Sequence, residues 1–137
     1  GKHSGEDLEA GRFDEQIGYI VLESGMGRIE GADYRVALGA NQIGGISDGP
    51  PFIYNFDAPF GGVPALGMAT LSGMEGSDGG WAVLYRSAAL MSSGLQLAID
   101  EDRTRDSERS HPFEQVAYAV FSAPVNVGLT AHPETGP

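Results

Sequence analysis

The sequence predicts an all-β fold, an antiparallel β-sandwich of about seven strands with a jelly-roll or lectin-like arrangement. The 137 residues include 21 glycines and eight prolines, which suit short strands joined by tight turns better than long helices. Phe52, Tyr54 and Phe56 occupy alternate positions, so they share one face of an extended strand. No segment keeps a 3.6-residue apolar period over three turns, and long helices are therefore not expected.

Seven stretches are rich in β-branched and aromatic residues and are bounded by glycine, proline or charged residues. The chain divides into an N-terminal arm or loop (residues 1–14), a sandwich domain (15–123) and a C-terminal extended tail or linker (124–137). The predicted strands are residues 16–23, 29–38, 52–57, 63–71, 81–86, 95–99 and 114–122.

The alternation within these strands predicts the core. Large apolar side chains at every second position face the opposite sheet, and the side chains between them face solvent. The side chains expected to be mostly buried are Ile17, Tyr19, Val21, Tyr34, Val36, Phe52, Tyr54, Phe56, Leu66, Met68, Leu84, Leu97, Ile99, Val116, Tyr118 and Val120.

One strand pattern occurs twice. Residues 15–22 read EQIGYIVL and residues 114–121 read EQVAYAVF, so four of eight positions are identical at an offset of 99 residues. A period near 100 residues is about the size of one sandwich domain, which favours a tandem array in which residues 15–22 close a preceding unit. Two strands of one sheet with similar side chains to bury would give the same pattern.

Charge and composition exclude several classes of protein. The net charge of −11 argues against nucleic-acid binding, which needs a cationic face. No apolar run is long enough to insert into a membrane. Cysteine is absent, so disulfides and thiolate metal sites are impossible. The acidic, cysteine-free composition favours an extracellular or cell-surface location, in which calcium is plentiful.

The densest polar segment is the charged loop at residues 100–109. Carboxylates of Asp100, Asp102 and Asp106 supply oxygen ligands of the kind that Ca²⁺ prefers. The loop lacks the glycine and closing glutamate of an EF-hand, and three arginines alternate with its acids. A solvated loop held by surface ion pairs is the alternative to a calcium site, and no other cofactor is expected.

A second candidate site combines acidic and aromatic residues. Glu75 and Asp78 lie in a glycine-rich loop, and Trp81 and Tyr85 follow four residues apart on one face of the next strand. Carboxylates accept hydrogen bonds from sugar hydroxyls, an indole ring stacks on a sugar ring, and Arg86 donates hydrogen bonds. The expected glycan contacts are Glu75, Asp78, Trp81 and Arg86. The alternative is that the single tryptophan belongs to the core.

Enzyme signatures are weak. The run from Gly45 to Gly49 matches the G-x-S-x-G expression around Ser47, but two prolines follow it where a nucleophile elbow needs a helix. His111 has no evident acid or nucleophile partner in the sequence, and no two acids have a spacing that singles them out. We expect no catalytic residues and no enzymatic activity.

The second half of the chain resembles the H-type lectin domain over about residues 52–122. The resemblance rests on FGGVP at residues 60–64, the strands at 65–71 and 81–86, GLQL at 94–97, and the closing strand at 116–121. It implies a six-stranded antiparallel sandwich that assembles as a trimer and binds sugars near subunit junctions. The tryptophan usual in that closing strand is replaced here by Tyr118 and Phe121, and no binding residues are carried over.

Two functions therefore compete. The first is a non-enzymatic extracellular module for glycan binding or adhesion. The second is a structural repeat that assembles with like subunits into a fibre, spike or filament, in which residues 16–23 complete a neighbour's sheet. A homo-oligomer or tandem repeat is expected in either case.

Overall fold

In the computed structural model, residues 16, 18–103 and 107–126 are described, and they form two packed antiparallel sheets with almost no helix. The predicted fold class, an antiparallel β-sandwich, is confirmed, with eight strands among the described residues. The strands are β1 (Gly25–Ile29), β2 (Ala32–Leu38), β3 (Phe52–Asn55), β4 (Leu66–Leu71), β5 (Gly80–Leu84), β6 (Leu90–Met91), β7 (Gly94–Glu101) and β8 (Val116–Phe121), and a single 3-10 turn covers Ile46–Asp48.

Sheet 1 has the strand order β1-β2-β8-β4. The chain turns tightly between β1 and β2 at Glu30 and Gly31, both of which have positive φ angles. The last strand, β8, lies in the middle of the sheet, between β2 and β4. The N-terminal and C-terminal parts of the chain are thereby hydrogen-bonded together, and this explains why most contacts in the molecule are long-range.

Sheet 2 has the strand order β3-β7-β5, and the short strand β6 forms a hairpin with β7. The central strand β7 is the most buried strand, with Leu95, Leu97 and Ile99 inaccessible to solvent. The loop between β2 and β3 crosses from one sheet to the other. It forms single bridges from Ile43 to Glu114 and from Gly45 to Ile99.

The core between the sheets is built from large residues of sheet 2 and of β8. Val116 and Val120 face Leu95, Leu97 and Ile99, and the remaining core members are Ile43, Tyr54, Phe56 and Phe60. Tyr54 fixes the two layers relative to each other. Its hydroxyl donates to the carbonyl oxygen of Ala40 at 2.6 Å and accepts from the amide of Val116 at 3.2 Å.

Sheet 1 turns small residues inward from its flanking strands. Register pairing with β8 places Ala37, Gly67 and Ala69 on the core side, beside Val120 and Tyr118. Gly67 has no room for a side chain, because a Cβ there would lie 2.4 Å from a Leu90 methyl group. The inner position of Arg35 is accommodated by stacking, with its guanidinium carbon 4.9 Å and 5.4 Å from the ring centres of Phe60 and Phe56.

This arrangement corrects part of the predicted core. Four residues expected in the core lie instead on the outer face of sheet 1: Tyr34, Val36, Leu66 and Met68. Their neighbours in the sequence, one position along each strand, face the core. Both faces of β2 and β4 carry apolar residues, so alternation alone points to the row with more large side chains, whereas the bulky core contributed by sheet 2 receives the row that contains Ala37, Gly67 and Ala69. Leu84, at the end of an edge strand, is also exposed.

The predicted strand at residues 16–23 is wrong for the residues that are described. Residues 18–23 form no strand and pair with neither sheet. Tyr19 and Val21, both expected in the core, are exposed. Ile17 lies outside the described residues. The remaining predicted core residues are buried or half-buried: Phe52, Tyr54, Phe56, Leu97, Ile99, Val116, Tyr118 and Val120.

Candidate functional site

The candidate site lies at one end of sheet 2, on the side that faces away from the core. Cross-strand pairing places Trp81 directly opposite Asp100 and Gly80 opposite Glu101. Just beyond the sheet, the amide of Asp102 donates to the carbonyl oxygen of Gly79 at 2.8 Å. The acidic loop before β5 and the charged loop after β7 are therefore neighbours. The two sites that the sequence suggests separately, for glycan and for calcium, adjoin each other.

Trp81 is on the outer face of the sheet. Side chains alternate along β5, so Gly80 and Ala82 face the core while Trp81 and Val83 face outward. Trp81 is 48 % exposed, which is too high an exposure for a core tryptophan. The core alternative for Trp81 is thus excluded by the structure.

Asp100 carries an ion pair beside the indole. Arg109 donates to the same Asp100 oxygen, Oδ1, from Nε at 2.9 Å and from Nη2 at 2.6 Å. Both side chains are about one-third exposed, so the pair is open to solvent on one side. Arg109 was not among the site residues expected from the sequence. The sequence shows only that Arg109 lies among alternating acids and arginines, and this pattern does not indicate which arginine pairs with which acid.

Beneath this surface is a buried cluster of three ionisable side chains: His111, Glu101 and Glu114. His111 Nδ1 lies 2.7 Å from Glu101 Oε1, and His111 Nε2 lies 3.4 Å from Glu114 Oε1. All three are almost inaccessible to solvent. Burial raises the pKa of Glu101, although the hydrogen bond with His111 acts in the opposite direction.

Glu114 holds the acidic loop in place. Its Oε1 accepts hydrogen bonds from the amides of Glu75 at 2.6 Å and Gly76 at 3.0 Å. The loop approaches so closely that a Cβ on Gly73 would lie 2.0 Å from Glu114 Oε2, and one on Gly76 would lie 2.4 Å from the imidazole of His111. Two glycines of this loop are therefore needed to admit the buried carboxylate and imidazole.

Asp48 connects the same region to the 3-10 turn. Its carboxylate accepts hydrogen bonds from the amides of Gly45 and His111 and from the Ser110 hydroxyl. Burial opposes ionisation of Asp48, but the hydrogen bonds from Ser110, His111 and Gly45 outweigh it and hold the pKa of the carboxyl below its usual value. Ser47, the centre of the G-x-S-x-G match, lies in this turn, and no strand-to-helix elbow is present.

The structure brings together most of the predicted site residues but not all of them. Glu75 and Asp78 lie in the loop before β5, next to Asp102 and close to Trp81 in sequence and register. Arg86 is five residues beyond Trp81, which is about 16 Å along an extended strand, and its guanidinium lies 6.0 Å from the ring centre of Tyr85. Arg86 therefore belongs to the other end of the sheet.

The predicted calcium ligands are only partly described. Asp100 is bound by Arg109, Asp102 is half-buried, and Asp106 lies outside the described residues. In the described part of the chain, no three His, Cys, Asp or Glu side chains are arranged so that they could hold a metal ion. Calcium binding at Asp100, Asp102 and Asp106 stays a prediction. The described residues also contain no helix able to span a membrane.

The fold and the site together define a class, an antiparallel β-sandwich, with eight strands in the part of the chain that is described, that carries an exposed tryptophan beside an ion pair. Comparison with protein-family models, with curated proteins and with solved structures finds no match.

Proposed function

We propose that this chain is a non-enzymatic β-sandwich module for glycan binding or adhesion, located outside the cell or at its surface. The observation that carries the proposal is the half-exposed Trp81 directly opposite the ion-paired Asp100. An indole face stacks on the apolar face of a sugar ring, while the adjacent carboxylate and guanidinium of Arg109 exchange hydrogen bonds with its hydroxyls.

The rigidity of the surroundings supports the proposal. Two amide hydrogen bonds to the buried side chain of Glu114 hold the loop that presents Glu75 and Asp78. A loop that is already ordered loses little conformational entropy when a ligand binds. Glu75 and Asp78 thus serve as the rim of the site, with Trp81 as its floor. Arg86 lies beyond the opposite end of β5 and is not part of the site around Trp81. Its contact with a glycan stays a prediction.

The net charge indicates which glycans to expect. A chain with a charge of −11 repels anionic ligands, and the acids at this site add to that effect. Neutral glycans should therefore bind more tightly than sialylated or sulfated ones. The resemblance of residues 52–122 to the H-type lectin domain agrees with glycan binding and stays a prediction.

The test uses the only tryptophan of the chain as its own reporter. The full-length protein is titrated with a panel of neutral and acidic glycans while indole fluorescence is recorded, and hits are repeated by calorimetry. The substitution Trp81→Ala should weaken binding at least about tenfold, the usual effect of removing a central aromatic contact.

The control is Val63→Ala, which shortens an exposed apolar side chain in the segment before β4 and should leave glycan binding unchanged. Absence of binding across the panel, or equal binding by Trp81→Ala and the unaltered protein, would contradict the proposed site.

A second candidate function is a structural repeat subunit that assembles with like chains. A specific observation favours it: the consecutive apolar residues Tyr19, Ile20, Val21 and Leu22 all remain exposed. A run of this kind on a soluble protein is typical of an interaction surface. This function does not compete with glycan binding for the same residues, because it uses sheet 1.

A further inference from the structure

The outer face of sheet 1 is an apolar groove of about 700 Å³. Two register rows of the sheet face the groove with their side chains: Leu38, Ala117 and Thr70, and Val36, Ala119 and Met68. Between them, Ala37, Tyr118 and Ala69 also border the groove, although their side chains face the core. The N-terminal segment, residues 18–24, crosses these rows and lines the groove with Gly18, Tyr19, Ile20, Leu22 and Ser24. None of the lining residues is charged.

The groove is apolar because β2 and β4 turn large apolar side chains outward. Leu66 and Met68 of β4 and Leu38 of β2 are exposed, whereas the glycine and alanines between them face the core. The N-terminal segment covers this face incompletely and adds apolar surface of its own. A continuous apolar surface of this kind marks a contact site on most soluble proteins.

The sequence of the N-terminal segment indicates what covers this surface. Residues 15–22 repeat the pattern of residues 114–121, so Tyr19 and Val21 correspond to Tyr118 and Val120 of β8. In β8 this row packs into the core, and Val120 is fully buried. In the N-terminal segment the equivalent row is open to solvent, with Tyr19 84 % and Val21 83 % exposed. These two side chains therefore match a row that is packed in the core of this fold, but in the N-terminal segment they have no such packing.

We infer that the Tyr19/Val21 row and the outer face of sheet 1 form an interface with a second copy of this chain. The Tyr19/Val21 row matches the row of β8 that packs against apolar side chains in this fold. Every copy of the chain also exposes the apolar outer face of sheet 1. Since each copy carries both the segment and the groove, the contact is self-complementary, as a two-fold dimer requires. The inference rests on the second proposed function, assembly, and is independent of glycan binding.

The experiment compares molecular mass in solution, by sedimentation equilibrium from micromolar to near-millimolar concentration, for the full chain and its variants. The unaltered chain should form a reversible dimer of the 14.4 kDa protomer. The double substitution Tyr19→Asp with Val21→Asp should weaken dimerisation at least tenfold. Both side chains are exposed in the single chain, so thermal unfolding at low concentration should not change. Leu38→Asp, on the groove side, should weaken dimerisation as well.

The matched control is Val63→Asp with Met74→Asp, which also adds two negative charges at positions that are 70 % and 79 % exposed but lie outside the groove. It should dimerise nearly as the unaltered chain does. A monomer at all concentrations would overturn both assembly and this interface. A dimer that persists in the Tyr19/Val21 variant would overturn this interface alone and leave assembly standing. Equal weakening by control and variant would also overturn it, because net charge would then be the cause.

Discussion

Glu114 shows how a single buried side chain determines the geometry of a surface site. It is fully buried, contacts His111, and receives two amide hydrogen bonds from the loop that carries Glu75. Its second oxygen, Oε2, has no hydrogen-bond partner in the described structure. The carboxylate therefore acts through one oxygen, and the position of the acidic loop depends on that oxygen.

Glu114→Ala should destabilise the protein by about 2–4 kcal/mol, because two amides and the imidazole lose a buried acceptor. Glu114→Gln retains the oxygen and should cost clearly less. Urea unfolding measures both changes. Hydrogen exchange at the amides of Glu75 and Gly76 should accelerate in the alanine variant only. Equal losses in the two variants would show that the negative charge, and not the accepted hydrogen bonds, holds the loop.

The sequence could not predict this cluster. The sequence offers no evident acid partner for His111, because Glu114 lies three residues away in a segment without helical periodicity. Glu101 lies ten residues before His111, at the end of β7, and joins the cluster only through the fold. The sequence left Trp81 open between a glycan contact and a core residue, and its outward position follows only from the pairing of β5 with β7. Arg109 was not predictable, because pairing among several arginines and acids depends on loop geometry.

At the scale of strands, small residues decide which layers can approach. Gly39 follows β2 and packs against the ring of Tyr54, where an added Cβ would lie 2.1 Å from Cζ. That ring cannot move away easily, because its hydroxyl is bonded to Ala40 and Val116. The glycine is thus required by contact with a fixed aromatic side chain.

Gly39→Ala should destabilise the sandwich by about 3 kcal/mol, the upper part of the usual cost of overpacking a core. Gly61→Ala is the matched control, because no atom lies within 4 Å of the added Cβ there. It should change stability by less than about 0.5 kcal/mol. Thermal and urea unfolding of both variants test this expectation. A small effect at Gly39 would mean that Tyr54 is held less firmly than its hydrogen bonds indicate.

The sequence predicted the strands of the central sandwich well and the faces of its outer strands poorly. Residues 52–57, 81–86, 95–99 and 114–122 each overlap an observed strand, because their side chains combine β-propensity with clear boundaries. In β2 and β4 both rows are apolar, so periodicity could not tell the core side from the outer side. Residues 18–23 have strand-like composition, but they pair with neither edge strand of sheet 1, β1 or β4, and five residues of the segment 18–24 border the groove on its outer face.

At the scale of the whole molecule, charge and apolar surface act against each other. Each chain carries a net charge of −11, so two copies repel at long range, while the groove and N-terminal segment that would join them are apolar. Salt screens the repulsion and leaves apolar contact largely intact.

Raising NaCl from about 0.02 M to about 0.3 M, which shortens the screening length from over 20 Å to under 10 Å, should strengthen dimerisation several-fold. Sedimentation of the unaltered chain at the two salt concentrations provides the measurement, and the Val63/Met74 control should follow the same trend. Weaker dimerisation at higher salt would indicate an interface held by ion pairs and would contradict an apolar one.

The two-layer architecture has a consequence for valency. Trp81 lies on the outer face of sheet 2, and the apolar groove lies on the outer face of sheet 1, with the whole thickness of the core between them. Two copies joined through sheet 1 would present two tryptophan surfaces pointing in opposite directions. Such a pair could not bind one flat surface twice, but it could bridge two separate ones, so its avidity would appear as cross-linking of glycan-bearing particles.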